Sequence, residues 1–271
     1  MSPFPTSKGY LNPGGGVRMA RLPPADDVAS LVRHYWVPQW DLPPGRTERQ
    51  VVLGYPVCNL VLEPLGATLA GPTTRVAHRD LTGSGWAVGA LLRPAAGPAL
   101  LSMGIAGARD SVEALVNREV PVDLDQLRGA VAAAMARGDI AHAAGDLDQF
   151  LRGLLGAIGE EALLANRMQE IVEGRPVRTV DEVASELAVS PRTLQRLART
   201  YVGVSPGAMI RRRRLQDAAD IVRRDPHVDL ATVAAEHGYA DHAHLTREFR
   251  DVLGFTPSQY RSGTRTDHGE P

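Results

Sequence analysis

Cysteine is almost missing from this chain. Cys58 is the only one in 271 residues, so no internal disulfide can form, which fits a reducing, cytoplasmic setting. Lysine is just as scarce. Lys8 stands alone beside 29 arginines, and no Gly-rich phosphate loop carries a lysine. Aromatic residues make up only 5% of the chain. Nothing approaches the roughly 18 to 20 apolar residues of a membrane helix, and Met1–Tyr10 lacks the apolar core of a secretion signal. A strong excess of either charge is also missing: the net value is −1, so the whole chain does not advertise a polyanion binder. No Ser–His–Asp spacing is visible. What remains, 44% hydrophobic and 23% charged, has the composition of an ordinary globular protein, long enough for two domains. The abundance of Arg, Ala and Gly suggests a GC-rich bacterial genome.

The pattern changes along the chain. Residues 1–25, with Pro13-Gly14-Gly15-Gly16 and Pro23-Pro24, are expected to be an extended lead-in. Short apolar runs follow: Val32–Trp40, Gln50–Gly54, Cys58–Glu63, Thr68–Ala70, Arg75–His78 and Trp86–Leu92. Gly/Pro turns cut them, at the spacing of an antiparallel sandwich or barrel. Beyond Ser111, which with Glu113 and Ala114 reads as a helix start, Leu124–Arg137 and Leu147–Ile158 are amphipathic. Gly159–Arg167 reads as the lead into a second domain, and from Met168 onward all is helix and tight turn. The expected class is α+β in two domains: a β-rich domain with C-terminal helices over 26–160, an all-α domain over 165–262, and a tail over 263–271.

The last third repeats itself. Val183-Ala184, Ser190, Leu194, Arg196 and Gly203-Val204-Ser205-Pro206 return as Val233-Ala234, Leu245, Arg247, Phe249 and Gly254-Phe255-Thr256-Pro257. The offset is 50 before the turn and 51 after it, so the second copy carries one extra residue at its turn. Fixed spacing with variable filling marks a repeated supersecondary unit. Each copy reads as helix, turn, helix, over about 179–201 and 229–252. Thr179 and Glu182 have capping-box spacing, and Ser190 before Pro191 is a second helix start. Residues 167–262 carry 15 basic and 13 acidic side chains, a mild positive excess.

The stretch Gly238–Phe249, closing on Gly254-Phe255-Thr256-Pro257-Ser258-Gln259-Tyr260-Arg261, resembles the signature of AraC/XylS-type transcription regulators. The resemblance covers about 165–262. Leu245 stands where Phe is common, a change that repacks the core without removing a DNA contact. His34-Tyr35-Trp36, Pro56–Glu63 and Gly83–Pro94 are similar, more loosely, to the sensor-type domain that precedes this module in one subgroup. The resemblance implies a double helix-turn-helix, able to read two successive major grooves of double-stranded DNA.

Helical spacing turns Leu194 and Leu197 inward and leaves Arg192, Gln195, Arg196 and Arg199 outward; with Leu245 and Phe249 inward, His242, His244, Thr246 and Arg247 are the groove candidates. Arginine and glutamine suit paired hydrogen bonds to base edges. The resemblance places the counterparts of Arg192, Arg196, His242 and Arg247 near bases or phosphates. Arg211-Arg212-Arg213-Arg214 must point all round its helix, one arginine pairing with Asp217 or a neighbouring acid and one or two reaching phosphate, for backbone attraction and no sequence reading. His34, His78 and His142 have no metal-ligand spacing, and His242 and His244 diverge on their helix. No metal or cofactor is expected.

The expected protein is a sequence-specific DNA-binding regulator and not an enzyme. Its N-terminal domain would sense a small-molecule effector, with Trp36, Trp40, Tyr55 and Trp86 near Glu63 and Arg93 as candidate lining, or mediate homodimerisation. RNA polymerase would be a partner of an activator. Two alternatives stay open: a bifunctional enzyme targeted to DNA by its helical module, and a regulator controlled by protein contacts alone.

Overall fold

The computed structural model describes residues 16–52, 56–74, 77–101, 105–114, 124–174, 179–225 and 227–266. The order of elements is β1 (Val17–Leu22), β2 (Val32–Asp41), β3 (Thr47–Val52), β4 (Asn59–Glu63), β5 (Gly66–Ala70), β6 (Ala77–Thr82), β7 (Ser84–Trp86), β8 (Val88–Leu92), the short α1 (Gly97–Leu100) and β9 (Val112–Ala114). Helices α2 (Leu124–Ala136), α3 (Ile140–Arg152), α4 (Glu160–Gly174), α5 (Val180–Glu186), α6 (Pro191–Tyr201), α7 (Pro206–Arg224), α8 (Leu230–Glu236), α9 (His242–Leu253) and α10 (Pro257–Thr266) follow.

The N-terminal half is a sheet covered by a helix pair. Its antiparallel order is β1-β2-β8-β4-β5-β9, with β7 also pairing β2, while β3 and β6 form a separate ribbon. Alternation along β2 explains the layering. Tyr35 and Val37 enter a core with Leu60, Leu62, Val88, Ala90 and Leu92, and Val131, Leu147 and Leu151 of α2 and α3 close over it. Each fully buried leucine contributes about 1.5–3 kcal/mol relative to exposure. On the other face the indole of Trp36 lies on Gly89 and that of Trp40 on Gly85, so close that a Cβ on either glycine would sit 2.0 Å or 2.4 Å from a ring atom.

Several expectations need correction here. The sheet is open, with β1 and β9 at its edges, and is no closed barrel. Part of the lead-in, 17–22, is an edge strand, because Val17–Leu22 registers residue by residue against Leu22's partner Tyr35 back to Trp40. The segment after Ser111 does not start a helix: 112–114 add a strand beside β5, where ladder hydrogen bonds outweigh the local pattern. The helix expected at 147–158 starts at Ile140, where Asp139 caps it through the His142 amide at 3.0 Å, and ends at Arg152. Residues 1–15, Tyr55 and 267–271 lie outside the described residues.

Within Gly159–Arg167, residues 160–167 are the first half of α4, which packs on two sides. Met168, Ile171 and Val172 enter a core with Val183, Leu194, Leu197 and Met209. The opposite side holds the sheet domain. The Asn166 amide donates to the Ser30 carbonyl at 2.7 Å and its Oδ1 accepts from the Ala95 amide at 2.9 Å. Arg93 pairs with Glu170 and Arg33 with Glu173. Helix α7 is the spine of the second half. Met209 and Ile210 belong to the core of the first unit; Leu215, Ala218, Ala219 and Val222 belong to the second, with Val233, Tyr239, Leu245 and Phe249. Its 19 residues make a rod about 28 Å long that sets the two units apart.

Candidate nucleic-acid interface

Each unit is built by the same local rules. In the first, Thr179 and Glu182 form a reciprocal capping box that starts α5. Ser190 accepts from the Thr193 amide at 3.1 Å and starts α6, with Pro191 in the first turn. In the second, Asp229 caps α8 and Asp241 caps α9, accepting from the His244 amide at 2.6 Å. The turns correspond bond for bond: the Val189 amide donates to the Ala184 carbonyl at 3.0 Å, and Tyr239 to Ala234 at 2.9 Å. Ala188 takes a left-handed φ of 56° where Gly238 takes 71°. The extra residue of the second copy is Ala240, between Tyr239 and the cap Asp241.

Helix α6 buries Leu194, Leu197 and Ala198 and leaves Arg192, Gln195, Arg196 and Arg199 exposed. Arg196 forms an ion pair with Glu161 at the start of α4, 35 residues away, and no pattern in the sequence signals it. Helix α9 buries Leu245, Phe249 and Leu253 and exposes His242 and Arg247, with Thr246 half-buried between them. His242 and Thr246 hydrogen-bond to each other at 3.2 Å, one turn apart. His244, intermediate in exposure, has local partners as well. Its Nδ1 accepts from the Ala240 amide at 3.3 Å, its ring meets Tyr239 edge-on at 5.3 Å, and Glu248 faces its Nε2 at 4.0 Å. Burial raises the Glu248 carboxyl above its ordinary range.

The arginine run resolves into separate tasks. Arg213 pairs with Asp217 at 2.8 Å, Arg214 donates to the Gly238 carbonyl at 3.4 Å, and buried Arg212 donates to the Thr74 carbonyl of the sheet domain at 3.2 Å. Burial lowers the Arg212 guanidinium to about 10, with nearby Asp110 opposing. Only Arg211 is exposed. Three of the four are therefore structural, because α7 is wrapped on most sides.

The N-terminal residues suspected of lining a ligand cavity are engaged otherwise. Arg93 is held by Glu170 and Glu63 by Arg79. Trp36 donates to Asn59 and Trp40 to the Thr82 carbonyl, both at 3.2 Å. Cys58 is buried, which pushes its thiol up to about 12. Among the described residues there is no cluster of three potential metal ligands, and no helix is long and apolar enough to cross a membrane.

Residues 183–263 match the sequence profile of a helix-turn-helix domain family, and residues 20–113 match a domain of unknown function, DUF6597. The chain is 27% identical over 110 residues to an uncharacterized HTH-type transcriptional regulator of Haemophilus influenzae, covering 41% of this chain and 37% of that protein. It is 29% identical to the probable transcription factor PqrA of Proteus vulgaris, covering 32% of this chain and 72% of the relative. It is 38% identical to the F1 operon positive regulatory protein of Yersinia pestis, covering 27% and 24%. The match thus spans little more than a third of the Haemophilus protein. With both helix-turn-helix units in place, the C-terminal part of the chain carries a helix-turn-helix domain similar to that of AraC-type transcription regulators.

Proposed function

We propose that this chain is a cytoplasmic, sequence-specific transcription regulator in which α6 and α9 enter successive major-groove segments on one face of the DNA. The carrying observation is that Arg196 and Arg247, 51 residues apart, are both exposed at equivalent places on two capped helices. Arg192, Gln195, Arg196 and Arg199 are the contacts of the first unit; His242, Thr246 and Arg247 are those of the second. His244, held against Tyr239, supports the start of α9 and meets DNA only at its edge. Groove centres separated by about 34 Å, or about 10 bp, are what paired units of this kind need. The unit boundaries stay at about 179–201 and 229–252, and α4 belongs with the DNA-binding domain while serving as its anchor on the sheet domain.

The same proposal gives the sheet domain a regulatory task, in response to an effector or to a second copy of the chain, and no catalytic one. A thiol raised to about 12 is protonated at neutral pH, which argues against nucleophilic chemistry at Cys58. Footprinting of Arg196→Ala and Arg247→Ala on a duplex selected from random sequence tests the reading. Each variant should lose about 1–3 kcal/mol and relax preference in its own half of the site alone. Equal weakening on every sequence would make both arginines phosphate contacts and defeat the claim of base reading.

A further inference from the structure

A cleft of about 650 Å³ opens between the sheet domain and the second helix-turn-helix unit. Its one wall is the loop after β5, with Thr73 and Thr74; its other wall is α7 and the flank of α9. Arg212 ties the two walls together by donating to the Thr74 carbonyl at 3.2 Å. The volume is within the usual range for small-molecule sites, which are mostly apolar with a few polar groups. Pro56, Val204 and Val252 supply the apolar surface, and Arg211 and Arg247 stand at the rim as exposed cations. The Thr73 hydroxyl, on the same wall, is buried and makes no hydrogen bond among the described residues. Two acids, Glu248 and Asp251, also line the cleft. Glu248 faces His244 at 4.0 Å and also lies within electrostatic reach of Arg211, but the three arginines of the cleft, Arg211, Arg212 and Arg247, outnumber its two acids.

We propose that this cleft binds a small organic anion with an apolar body, its acidic group at Arg211 and Arg247, and that it thereby withdraws Arg247 from DNA. The proposal rests on the reading of α9 as a DNA-reading helix. It differs from a cavity inside the sheet domain, because the effector touches the reading helix itself. Coupling is then direct: one guanidinium cannot serve both partners, so anion and duplex must weaken each other by the same factor.

The test uses the full chain, the aromatic sulfonate 8-anilinonaphthalene-1-sulfonate, and its uncharged relative N-phenyl-1-naphthylamine. The sulfonate should bind at least about tenfold more tightly than the uncharged probe and raise the Kd for a selected duplex about five- to tenfold. Arg211→Ala removes a rim cation, and Thr74→Trp fills the cleft from a loop outside the DNA-reading helices. Both should weaken sulfonate binding about tenfold, and Thr74→Trp should leave duplex affinity within about twofold. Sulfonate binding unchanged in both variants, or equal binding of the two probes, would overturn the site. Binding that both variants abolish but that leaves duplex affinity untouched would overturn the coupling. A chain that fails to bind any selected duplex without the probe would instead defeat the DNA-reading proposal, whatever the sulfonate does.

Discussion

Ala188 pays for the first turn with a left-handed backbone, φ 56°, at the place where the second turn uses Gly238 with φ 71°. A Cβ in that region crowds the following carbonyl, at a cost on the order of 1 kcal/mol. Ala188→Gly should therefore stabilise the protein by about 0.5 kcal/mol, the gain being reduced by the greater freedom of glycine in the unfolded chain. Gly238→Ala should destabilise it by about 1 kcal/mol. Denaturant midpoints of the two variants decide this; a loss for Ala188→Gly would show that the first turn is not strained. His34 on β2 sets a second residue-scale expectation. Burial, aided by Arg21 and Arg33, lowers its imidazole to about 3. The unfolded chain takes up that proton near 6.5, whereas the folded chain refuses it until about 3. Stability is thus complete above pH 6.5 and declines as pH falls through that window, by at most about 1.4 kcal/mol per unit. His34→Gln should flatten the slope between pH 6.5 and 4 relative to the parent in urea titrations. Identical slopes would remove His34 from the account.

Helix α4 shows how an element can be indispensable to one domain and docked on another. Met168 is fully buried in the core of the first helix-turn-helix unit, with Ile171 and Val172 beside it. Helix α5 has only seven residues, too few to be stable alone, so α4 completes its packing. A fragment starting at Gly159 should therefore fold and bind a selected duplex, whereas one starting at Thr179 should lose its first unit. Circular dichroism and duplex binding of the two fragments distinguish the cases. If the shorter fragment melts cooperatively with the same midpoint, α4 is no part of the module. The repeated caps matter in the same way: Ser190, Ser205, Asp229 and Asp241 each satisfy amides that open a helix, and each is worth about 1 kcal/mol.

The two halves of the molecule meet through polar contacts and through close apolar ones. Asn166 with Ser30 and Ala95, Arg93 with Glu170, and Arg212 with Thr74 form most of the seam. Ile105 adds a close apolar contact against Gly203, where a Cβ would sit 2.9 Å from its Cγ2. Comparing the Gly159 fragment with the full chain on one duplex then reads the effect of the sheet domain on DNA binding directly.

Short-range order was legible in the chain itself. The capping box at Thr179, the Ser190-Pro191 start, the helix-ending glycines 203 and 254, and the single inserted residue all depend on neighbours within a few positions, where backbone sterics and local hydrogen bonds decide. The exposure of Arg192, Arg196, His242 and Arg247 followed from helical period alone, because Leu194, Leu197, Leu245 and Phe249 must face inward. Tertiary structure decided what depends on distant partners. Val112–Ala114 became strand because β5 offers a free edge. The three tryptophans fall on strands of an open sheet, and two of them cover glycines on the neighbouring strand. His244 turned to Tyr239, Arg196 met Glu161, and Arg212 and Arg214 were absorbed by packing, whereas the Arg213–Asp217 pair was already expected from its spacing. Such pairings cross 5 to 138 positions of sequence, and only the folded chain, by excluding water and bringing those charges together, selects them.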